Sequence, residues 1–577
     1  MNELNEKNEL NEKNEIIRKE EDTKMQIRRF SPGSYRAVFK WGADDVFYTI
    51  DDRLKEFIGE NLGLSRKELE TPHLPGLDQI TGVPEPKLDK NLIEELEDIL
   101  GKENVSTDDF ERVKHSFGST FMDLMRLRRG ILTGLSDAVV YPRHEEDCCK
   151  LVNFCNKHRI PLIPAGARSS VTLGLMAEKG GICVDMTRHM NKVLHVNSED
   201  LSVRVQPGIY GPAYEKHLNN LGYTCGHFPQ SFEYSTVGGW VATRGAGQQS
   251  TYFGKAEDLV LALRCVTPSG LIVTRSFPRA ALGPDLNSII VGSEGSYGII
   301  TETTLRVFPH RPKSRFPACF MFKSFEAGVK TLREIMQGGY GKPGVFRLSD
   351  PEETETALAL DGMSGGPIDK ILKSLGYKPN ERSLFISATE GDPKAAIYTA
   401  TRAHATALFH GGLPLGHIPL KTWKKRRFHD PYLRDDLMDM GVITDTLETA
   451  VTWSDLKKLW QGVRTVIKKR PHTVAMTHIS HAYENGANLY FIFLSPMKRN
   501  GEIEDYESFH KQIIDAILKH GGSLSHHHGI GKLFAPWYEN HIGETGYNVL
   551  QAIKRSLDPE LIMNPGALGL GRTADKK

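Results

Sequence analysis

The sequence has almost no excess of charge of either sign. Lys and Arg total 73 and Asp and Glu total 72 over 577 residues, so the net charge is +1. This balance excludes a chain-wide basic field for nucleic acid, and it also excludes a uniformly acidic, solvating chain. With 25% charged and 39% hydrophobic residues, the composition is that of an ordinary globular protein, long enough for several domains.

Cysteines and long apolar runs are also scarce. Seven cysteines without a CxxC pair do not suggest a disulfide framework or a zinc site, so we expect reduced thiols in a reducing compartment. No run reaches the roughly 18 apolar residues of a membrane span, and the N-terminus lacks the apolar core of a signal peptide. The repeat Asn-Glu-Leu-Asn-Glu-Lys stands twice between Asn2 and Lys13, and residues 1–25 are predicted to form a disordered or frayed tail.

Hydrophobic periodicity divides the rest of the chain into four parts. Residues 26–133 are predicted to be mostly helical, since apolar residues recur at helical spacing from Asn91 to Leu100. From 134 to 310, short apolar runs alternate with helical patterns, and the Pro-rich basic segment Pro309–Pro317 marks a boundary. Residues 318–525 carry new strand and helix signals that predict an α+β domain on antiparallel strands. Residues 526–577 form a C-terminal segment.

Glycine is frequent, with 54 residues, and part of it is concentrated in three loops. The first loop, Pro164–Ser170, follows an apolar strand, and its small residues would let backbone N–H groups approach a pyrophosphate. It lacks the Gly-Lys-Ser/Thr ending of a nucleotide triphosphate P-loop. The second loop spans Gln230–Gly239 and continues through Thr243–Gly247, and the third spans Gly292–Thr301. One such loop is ordinary, whereas three in this order indicate a site for a dinucleotide cofactor.

These loops resemble those of flavoproteins of the vanillyl-alcohol oxidase and para-cresol methylhydroxylase type, and the resemblance covers about residues 30–570. It implies an α+β fold with a two-part FAD-binding domain at 134–310, a substrate-binding cap at 318–525 and a C-terminal segment that returns to the flavin. FAD is expected to bind without a covalent link. The residues assigned to the cofactor by this resemblance are Pro164, Ala165, Gly166, Ala167, Arg168, Ser169, Ser170, Gln230, Ser231, Phe232, Glu233, Tyr234, Ser235, Thr236, Gly238, Gly239, Thr243, Arg244, Gly245, Ala246, Glu294, Gly295, Ser296, Tyr297, Gly298, Ile299 and Ile300.

Within this superfamily, the segment Gly521–Lys532 with its three consecutive histidines resembles the alkyldihydroxyacetonephosphate synthases. Phe39–Gly42, Ser235–Arg244 and Thr446–Trp453 fit the same family. The resemblance implies exchange of the acyl chain of acyl-dihydroxyacetone phosphate for a long-chain fatty alcohol. The products would be alkyl-dihydroxyacetone phosphate and a fatty acid, and the new ether bond is that of ether lipids. The resemblance also implies a non-redox use of FAD, with the flavin N5 as a covalent catalyst.

Such an exchange needs a base near C1 of the substrate and an acid for the leaving carboxylate. His526, His527 and His528 supply imidazoles that titrate near neutral pH. In an extended segment, His526 and His528 would share one face and His527 would lie on the other. The resemblance assigns the acid–base role to Tyr490, which stands one residue closer to the histidines than in the family.

Recognition of the substrate phosphate calls for fixed cations. The resemblance assigns Arg434 to substrate binding and Arg347 to activity, although either could instead form a structural salt bridge. Another basic cluster, Lys421–His429, places four consecutive cations between aromatic residues. It could close over an anionic substrate, contact lipid headgroups or form a solvated mobile loop.

Two departures from the family pattern affect the cofactor and the location. Ala167 and Arg168 replace glycines in the first loop, and Arg168 could either pair with the FAD pyrophosphate or crowd it. The C-terminal residues Ala574–Lys577 carry no peroxisomal address. We therefore expect a cytoplasmic protein, with peripheral membrane contact because a fatty alcohol is drawn from a bilayer. A homodimer is compatible with these features.

Two other functions stay open at the level of the sequence. A flavin dehydrogenase for a 2-hydroxy acid, such as D-lactate or glycolate, could use His478, His481 and the three consecutive histidines as a base or metal site. No other set of metal ligands is expected. A degenerate flavoprotein kept for lipid binding is the third hypothesis, and the altered first loop and the basic cluster motivate it.

Overall fold

The computed structural model describes residues 28–29, 34–42, 46–47 and 50–571. The tail predicted at residues 1–25 lies outside these ranges. The described part contains a helical N-terminal region, two sheets in the first half of the chain and one large sheet in the second. These layers agree with the predicted α+β class. No helix within the described ranges is long and apolar enough to cross a membrane, and all seven cysteines are free thiols.

The N-terminal region is helical, as the apolar spacing predicts. Its helices are α1 Asp52–Leu62, α2 Arg66–Glu70, α3 Lys90–Leu100, α4 Asp109–Ser116 and α5 Phe121–Arg128. Each begins after a side chain that accepts a backbone N–H of the first turn, namely Asp51, Ser65, Asp89, Asp108 and Thr120. The short strands β1 Arg28–Arg29 and β2 Val46–Phe47 pair in front of α1.

A small sheet follows, in the order β3-β4-β6-β5. It consists of β3 Val105–Ser106, β4 Ala138–Val140, β5 Leu162–Ala165 and β6 Ile182–Asp185, and α6 Glu145–His158 connects β4 to β5. The strands β4 and β5 both pair with β6 in parallel. Their side chains are almost all buried, as expected for parallel strands covered on both faces. The carboxyl end of β5 leads into the first glycine-rich loop.

The next sheet is antiparallel, in the order β11-β10-β12-β8-β7. Its strands are β7 Val193–Asn197, β8 Ser202–Val205, β10 Val260–Thr267, β11 Gly270–Val273 and β12 Ile299–Arg306, while β9 Tyr223–Thr224 pairs separately with β13 Phe308–Pro309. The helices between these strands are α7 Gly211–Asn220, α8 Val237–Ala242, α9 Ser250–Phe253, α10 Ala256–Leu259 and α11 Leu286–Ile290.

The second half of the chain contains a seven-stranded antiparallel sheet in the order β17-β14-β16-β15-β19-β20-β18. Its strands are β14 Arg315–Phe322, β15 Val345–Ser349, β16 Ser383–Glu390, β17 Leu413–Gly416, β18 Val442–Thr452, β19 Val474–Ile479 and β20 Gly486–Pro496. Its helices are α12 Phe325–Gln337, α13 Pro351–Leu360, α14 Pro367–Ser374, α15 Pro393–Phe409, α16 Ile418–Arg426, α17 Asp430–Asp439, α18 Leu456–Lys468 and α19 Glu502–Lys519.

One face of this large sheet packs into the main hydrophobic core, and the opposite face carries polar side chains. Phe346, Leu447 and Phe491 point into a core shared with residues of α12, α15, α18 and α19. Because side chains alternate along a strand, their sequence neighbours Arg347, Glu448 and Tyr490 lie on the opposite face. The strand alternation therefore collects the predicted polar residues of three strands on one surface.

The basic cluster Lys421–His429 is not a mobile loop. Lys421 to Arg426 lie in α16, which begins with Pro419 in its first turn, a position that favours helix initiation. Trp423 packs beneath the helix against Leu420 and the edge of the large sheet. The solvated-loop interpretation of this segment is therefore wrong, because one face of the helix has an apolar partner.

The C-terminal helices α20 Ala535–Ile542 and α21 Glu544–Leu557 bring the chain back to the first half. Lys554 is fully buried in α21, where its ammonium group donates to the carbonyls of Ser296 and Met563 and to the carboxylate of Asp558, each at 2.6 Å. Beyond this helix, Met563 pairs with Leu162 in β5. A buried ion pair therefore anchors the C-terminal segment beside the third glycine-rich loop.

Replacement of Lys554 by Met is expected to lower the free energy of unfolding by about 3–5 kcal/mol, since Asp558 would stay buried without its cation. Urea denaturation of the purified protein measures this change. Arg555→Met is the matched control, because Arg555 is exposed on the same helix and should change stability by about 0.5 kcal/mol or less. Equal denaturation midpoints for the two variants would contradict the anchoring role of Lys554.

Candidate active site

The three glycine-rich loops meet at the carboxyl end of β5. A Cβ atom added to Gly166 would lie 2.3 Å from Thr236 Oγ1, so the first and second loops touch where only glycine fits. Gly295, at φ +74°, brings the third loop against the ring of Pro164, which is 3.1 Å from an added Cβ. The three loops thus meet at one surface.

The first loop offers this surface a row of backbone donors. Within the described ranges, the backbone N–H groups of Gly166–Ser170 have no protein acceptor, and all five residues are partly exposed. Arg168 adopts the left-handed conformation, with φ 63°, and its Nη1 donates to the carbonyl of Lys114 at 2.8 Å. The guanidinium is therefore held by α4, and the free N–H groups fit the pyrophosphate of FAD.

Other residues assigned to the cofactor have different surroundings. Ser235 Oγ accepts the indole N–H of Trp240 at 2.7 Å, which stabilises the start of α8. Arg244 is exposed and pairs with Glu257 at 3.2 Å. We call the surface formed by the three glycine-rich loops the cofactor cradle. Six of the assigned residues contact the second half of the chain or the hydrophobic core instead: Gln230, Glu233, Tyr234, Tyr297, Ile299 and Ile300.

The third loop is tied to the segment that follows the three histidines. Both oxygens of the Glu294 carboxylate accept backbone N–H groups at 2.6 Å, one from Ile530 and one from Gly531. Asn564 adds a donor from the C-terminal segment, which reaches the Glu294 carbonyl at 2.8 Å. Glu294 thus joins the cofactor cradle to the histidine segment.

The histidine segment is wrapped around a single carboxylate, that of Glu448 in β18. Its oxygens accept the backbone N–H groups of His526 at 2.6 Å, His527 at 3.1 Å and His528 at 2.9 Å, and also the Ser525 hydroxyl at 2.6 Å. Burial disfavours the charged form, but the surrounding imidazoles and the hydroxyl donor outweigh burial, so the pKa of Glu448 lies below its ordinary value.

The histidine segment is not extended, so the alternation of faces considered for that case does not apply: residues 526–528 form bends around Glu448. The bend places His527 and His528 together instead of on opposite faces. The ring of His527 stacks on Tyr490 with centroids 5.8 Å apart, and the ring of His528 meets Tyr490 edge-on at 5.6 Å. The structure therefore brings Tyr490 and two of the three histidines into one aromatic cluster.

His526 contacts His527, with their Nδ1 atoms 3.0 Å apart, and it has further partners of its own. Its Nε2 lies 2.6 Å from the hydroxyl of Tyr483, and its carbonyl accepts the ammonium group of Lys255 at 2.7 Å. Burial, followed by the neighbouring His481, His527 and Lys255, holds the pKa of His526 well below its ordinary value. Burial also lowers the pKa of His527, and His528 and Lys255 act in the same direction. Both rings are therefore neutral at physiological pH.

Tyr490 lies between two imidazoles. On the side opposite His527 it stacks on His478, with centroids 4.9 Å apart. Tyr490 pairs with Glu448 across the strands β20 and β18 and with His478 across β20 and β19. Burial, and then the charges of Glu448 and Asp445, raise the pKa of Tyr490 above its ordinary value, so its hydroxyl keeps its proton.

The two predicted substrate arginines differ in their partners. Arg347 forms an ion pair with Glu353 and contacts Nδ1 of His478 at 3.0 Å, so it supports the ring beneath Tyr490. Arg434, in α17, points its buried Nε at Asp435 Oδ1, 3.5 Å away, and its guanidinium forms no hydrogen bond with a residue that the structure describes. Of the two, Arg434 therefore has donor capacity to spare for an anion.

The histidines also form a group with the spacing of metal ligands. Ring nitrogens of His481, His526 and His527 all lie within 4.8 Å of one another, and this is the single such group in the described part of the chain. His478, which the dehydrogenase hypothesis placed in this group, instead lies 3.0 Å from a carboxylate oxygen of Glu353. His478 is therefore not part of the group of histidines that has the spacing of metal ligands.

Sequence reasoning missed two residues that organise this site, Glu448 and Lys255, and it assigned Glu294 to the cofactor but not to the histidine segment. The Glu448 motif was recognised only as a segment that fits the family. The strand β18 carries two carboxylates, Asp445 and Glu448, and each was a candidate acceptor because a carboxylate in a buried strand needs donors. For Lys255 the sequence contains no comparable signal, since its contact with His526 joins residues 271 positions apart.

Comparisons with known proteins agree with this arrangement. The family model for an FAD binding domain matches residues 136–276, and the model for the C-terminal domain of FAD linked oxidases matches residues 311–568. An alkyldihydroxyacetonephosphate synthase of Dictyostelium discoideum is 34% identical over 540 residues, which cover 89% of this chain and 87% of the relative. A synthase of Caenorhabditis elegans is 32% identical over 571 residues, with 92% and 95% covered.

A solved structure of an alkyldihydroxyacetonephosphate synthase has a TM-score of 0.75 and 30% identity, and the match covers 94% of this chain and 95% of the other. These matches confirm the predicted fold, with its FAD-binding part and its C-terminal domain, and they confirm FAD as the cofactor. The chain belongs to the alkyldihydroxyacetonephosphate synthase family.

Proposed function

We propose that this protein exchanges the acyl chain of acyl-dihydroxyacetone phosphate for a long-chain fatty alcohol, giving alkyl-dihydroxyacetone phosphate and a fatty acid. The observation that carries the proposal is the cluster of Tyr490 with His527 and His528, on a turn held by Glu448. An exchange of this kind needs a proton donor and a proton acceptor close together, and the cluster supplies both.

FAD, when bound, supplies the covalent catalyst for an exchange without net oxidation. The first loop would hold its pyrophosphate with the free N–H groups of Gly166–Ser170. Glu294 ties the third loop to the backbone of Ile530 and Gly531, so the cradle and the histidine turn keep a fixed relation. The residues of this chain thus position the proton-transfer groups relative to the cofactor loops.

The proton chemistry falls to two rings. His527 is neutral because burial lowers its pKa, so its free nitrogen can accept the acidic proton at C1 of the substrate. Tyr490 keeps its hydroxyl proton because burial and nearby carboxylates raise its pKa, so it can donate to the leaving carboxylate. The phenolate left on Tyr490, with His528 packed at its edge, can then accept the proton of the incoming alcohol, and His527 can return its proton to C1, so that each ring ends in its starting state. Each role uses the protonation state that the environment favours.

The phosphate of the substrate is assigned to Arg434, whose guanidinium has an ion-pair partner in Asp435 at 3.5 Å but forms no hydrogen bond with a described residue. Guanidinium groups bind phosphate through paired N–H donors. Arg347 is a positioning residue in this scheme, because Glu353 neutralises it and its contact is with the ring of His478.

The direct test of this function incubates the FAD-loaded protein with acyl-dihydroxyacetone phosphate and labelled hexadecanol and measures labelled alkyl-dihydroxyacetone phosphate. Replacing Tyr490 by Phe removes the proposed acid without removing the ring, and we expect the rate to fall by about 10²–10⁴-fold. Tyr398→Phe is the control, because Tyr398 is exposed on α15, and its rate should equal that of the wild type.

A 2-hydroxy acid dehydrogenase would give the opposite pattern. Under anaerobic conditions, D-lactate or glycolate would bleach the flavin absorbance of such an enzyme, while no labelled alkyl product would form. That result would exclude the synthase function. Turnover of the alcohol without bleaching would exclude both the dehydrogenase and a degenerate flavoprotein.

Replacement of Glu448 by Gln should slow alkyl exchange by about 100-fold, because the histidine turn would lose its charged acceptor and shift against Tyr490. The same variant should lose about 1–3 kcal/mol of stability at neutral pH. Glu448 has a lowered pKa, so its contribution is present above its ordinary value of 4.5 and is lost as the pH falls through the lowered pKa.

The measurements for Glu448→Gln are the exchange rate at neutral pH and the melting temperature as a function of pH. The difference in melting temperature from the wild type should be constant above pH 4.5 and shrink in more acidic solution. Glu484→Gln, at an exposed carboxylate, serves as the control. A variant with full activity and unchanged melting would exclude the organising role of Glu448.

Peripheral membrane contact is part of the proposal, and one surface of the cap supports it. Ile368, Ile371 and Leu375 are exposed on and just after α14, and Phe409 is 81% exposed at the end of α15. The segments that follow the two helices are joined by a hydrogen bond, in which the hydroxyl of Tyr377 donates to the carbonyl of Gly411 at 3.2 Å. Exposed apolar groups of this kind are typical of lipid-facing surfaces.

Replacement of Phe409 by Ser should weaken binding to anionic vesicles about tenfold, because one aromatic side chain would no longer enter the lipid. Co-sedimentation with vesicles of phosphatidylcholine and phosphatidylserine measures the change. Phe277→Ser is the matched control, since Phe277 is exposed in the first half of the chain. Equal sedimentation of both variants with the wild type would contradict membrane contact through this surface.

A further inference from the structure

Two basic segments, more than 100 residues apart in sequence, meet at one cavity. The Pro-rich segment Pro309–Pro317 brings Arg315 to it, and α16 with the residue after it brings Lys424 and Arg427. The cavity has a volume of about 120 Å³ and lies between the large sheet and Gln249, which belongs to the first half of the chain. Neither basic segment has a role in the proposed exchange.

The charges around this cavity are unbalanced. Glu390 is its one lining carboxylate, so three cations face one anion, a net of 3 − 1 = +2. Arg315 Nε donates to Glu390 at 2.9 Å, and the amide of Gln249 also donates to Glu390. Lys424 and Arg427 form no ion pair with any residue that the structure describes. Two cations are therefore left without a counter-charge.

These two cations are also partly dehydrated. The guanidinium of Arg427 lies 5.1 Å from the ring centre of Phe228, 5.8 Å from that of Trp423 and 4.5 Å from that of Phe428. Burial, and then the like charge of Arg315, lower the pKa of Arg427 to about 10, and the same two causes lower the pKa of Lys424. Like charges held together away from water are costly unless an anion joins them.

We propose that this cavity is a second anion site, which binds a soluble phosphomonoester. A phosphate group carries close to two negative charges and three acceptor oxygens, which matches the two uncompensated cations and leaves an oxygen for Arg315. A fatty carboxylate carries one charge and an apolar tail, and it fits the polar lining less well. The ligand class is thus a phosphate dianion, carried by a phosphorylated small molecule as a monoester and present in its simplest form as inorganic phosphate.

The cavity does not include Arg434, the proposed ligand of the substrate phosphate, but hydrogen bonds connect it to the helix that carries Arg434. Gln248 donates to the carbonyl of Arg427 at 2.8 Å and to Gln230 at 2.7 Å, and Gln230 donates to Asp430 at 3.4 Å. Asp430 begins α17, the helix that carries Arg434. A chain of hydrogen bonds through Gln248 and Gln230 therefore connects Arg427, which would hold the anion, to the first residue of α17.

Isothermal titration calorimetry of the full-length, FAD-loaded Arg434→Gln protein with inorganic phosphate and with glycerol 3-phosphate tests the proposal. The Arg434→Gln background removes the active-site arginine, so the remaining binding reports the second site. We expect one bound phosphate, and we expect the added change Lys424→Gln to weaken it about tenfold through loss of a charge-assisted contact. Lys424→Arg should restore binding.

Lys421→Gln is the matched control, because it makes the same charge change at an exposed position of α16 and should leave the affinity unchanged. Absence of phosphate binding in the Arg434→Gln protein, or equal affinities with and without Lys424→Gln, would overturn the proposal. Binding to phosphatidic acid vesicles without binding of soluble phosphate would also overturn it and would assign these cations to membrane contact. None of these readouts depends on alkyl exchange.

Discussion

The candidate active site depends on one buried carboxylate. Glu448 accepts the backbone N–H groups of three successive residues, His526, His527 and His528, and the hydroxyl of Ser525. A buried charge is tolerated only when it is well paired, and consecutive backbone donors in a buried bend need an acceptor that no strand or helix supplies. The backbone N–H groups of the bend supply the donors that the buried carboxylate needs, and the carboxylate supplies the acceptor that these N–H groups need.

Because Glu448 lies in the large sheet, the bend that it holds is fixed relative to the proposed catalytic groups. It faces Tyr490 across the pair β18 and β20, and Tyr490 faces His478 across the next pair. Beyond the histidines, the segment ends on a second carboxylate, Glu294, which holds Ile530 and Gly531. A short stretch of chain is therefore fixed at both ends, once to the cap sheet and once to the loops that would hold FAD.

Local pattern was sufficient to predict the framework. Helix α15 and strands such as β5 and β20 follow from apolar spacing and flanking Gly or Pro, since these signals act within a few residues. The three loops could be assigned from the order and spacing of their glycines, and the histidine triplet could be assigned only through its resemblance to a known family.

The features that the sequence did not predict depend on contacts between residues that are distant in the chain. The histidine segment bends around Glu448, nearly 80 positions earlier, and the sequence predicted an arrangement of His527 and His528 only for the case of an extended segment. The helix α16 was missed because its four consecutive cations hide the apolar face formed by Leu420 and Trp423. Periodicity carries no information about such partners, and tertiary contacts decide them.

The most direct test of this account is hydrogen exchange of the backbone amides in residues 525–531, compared between the wild type and Glu448→Gln. The account predicts that the amides of His526, His527 and His528 are protected in the wild type and exchange faster in the variant. The amides of Ile530 and Gly531, which Glu294 holds, should keep their protection and serve as an internal reference. Unchanged protection of the three histidine amides in Glu448→Gln would contradict the central claim.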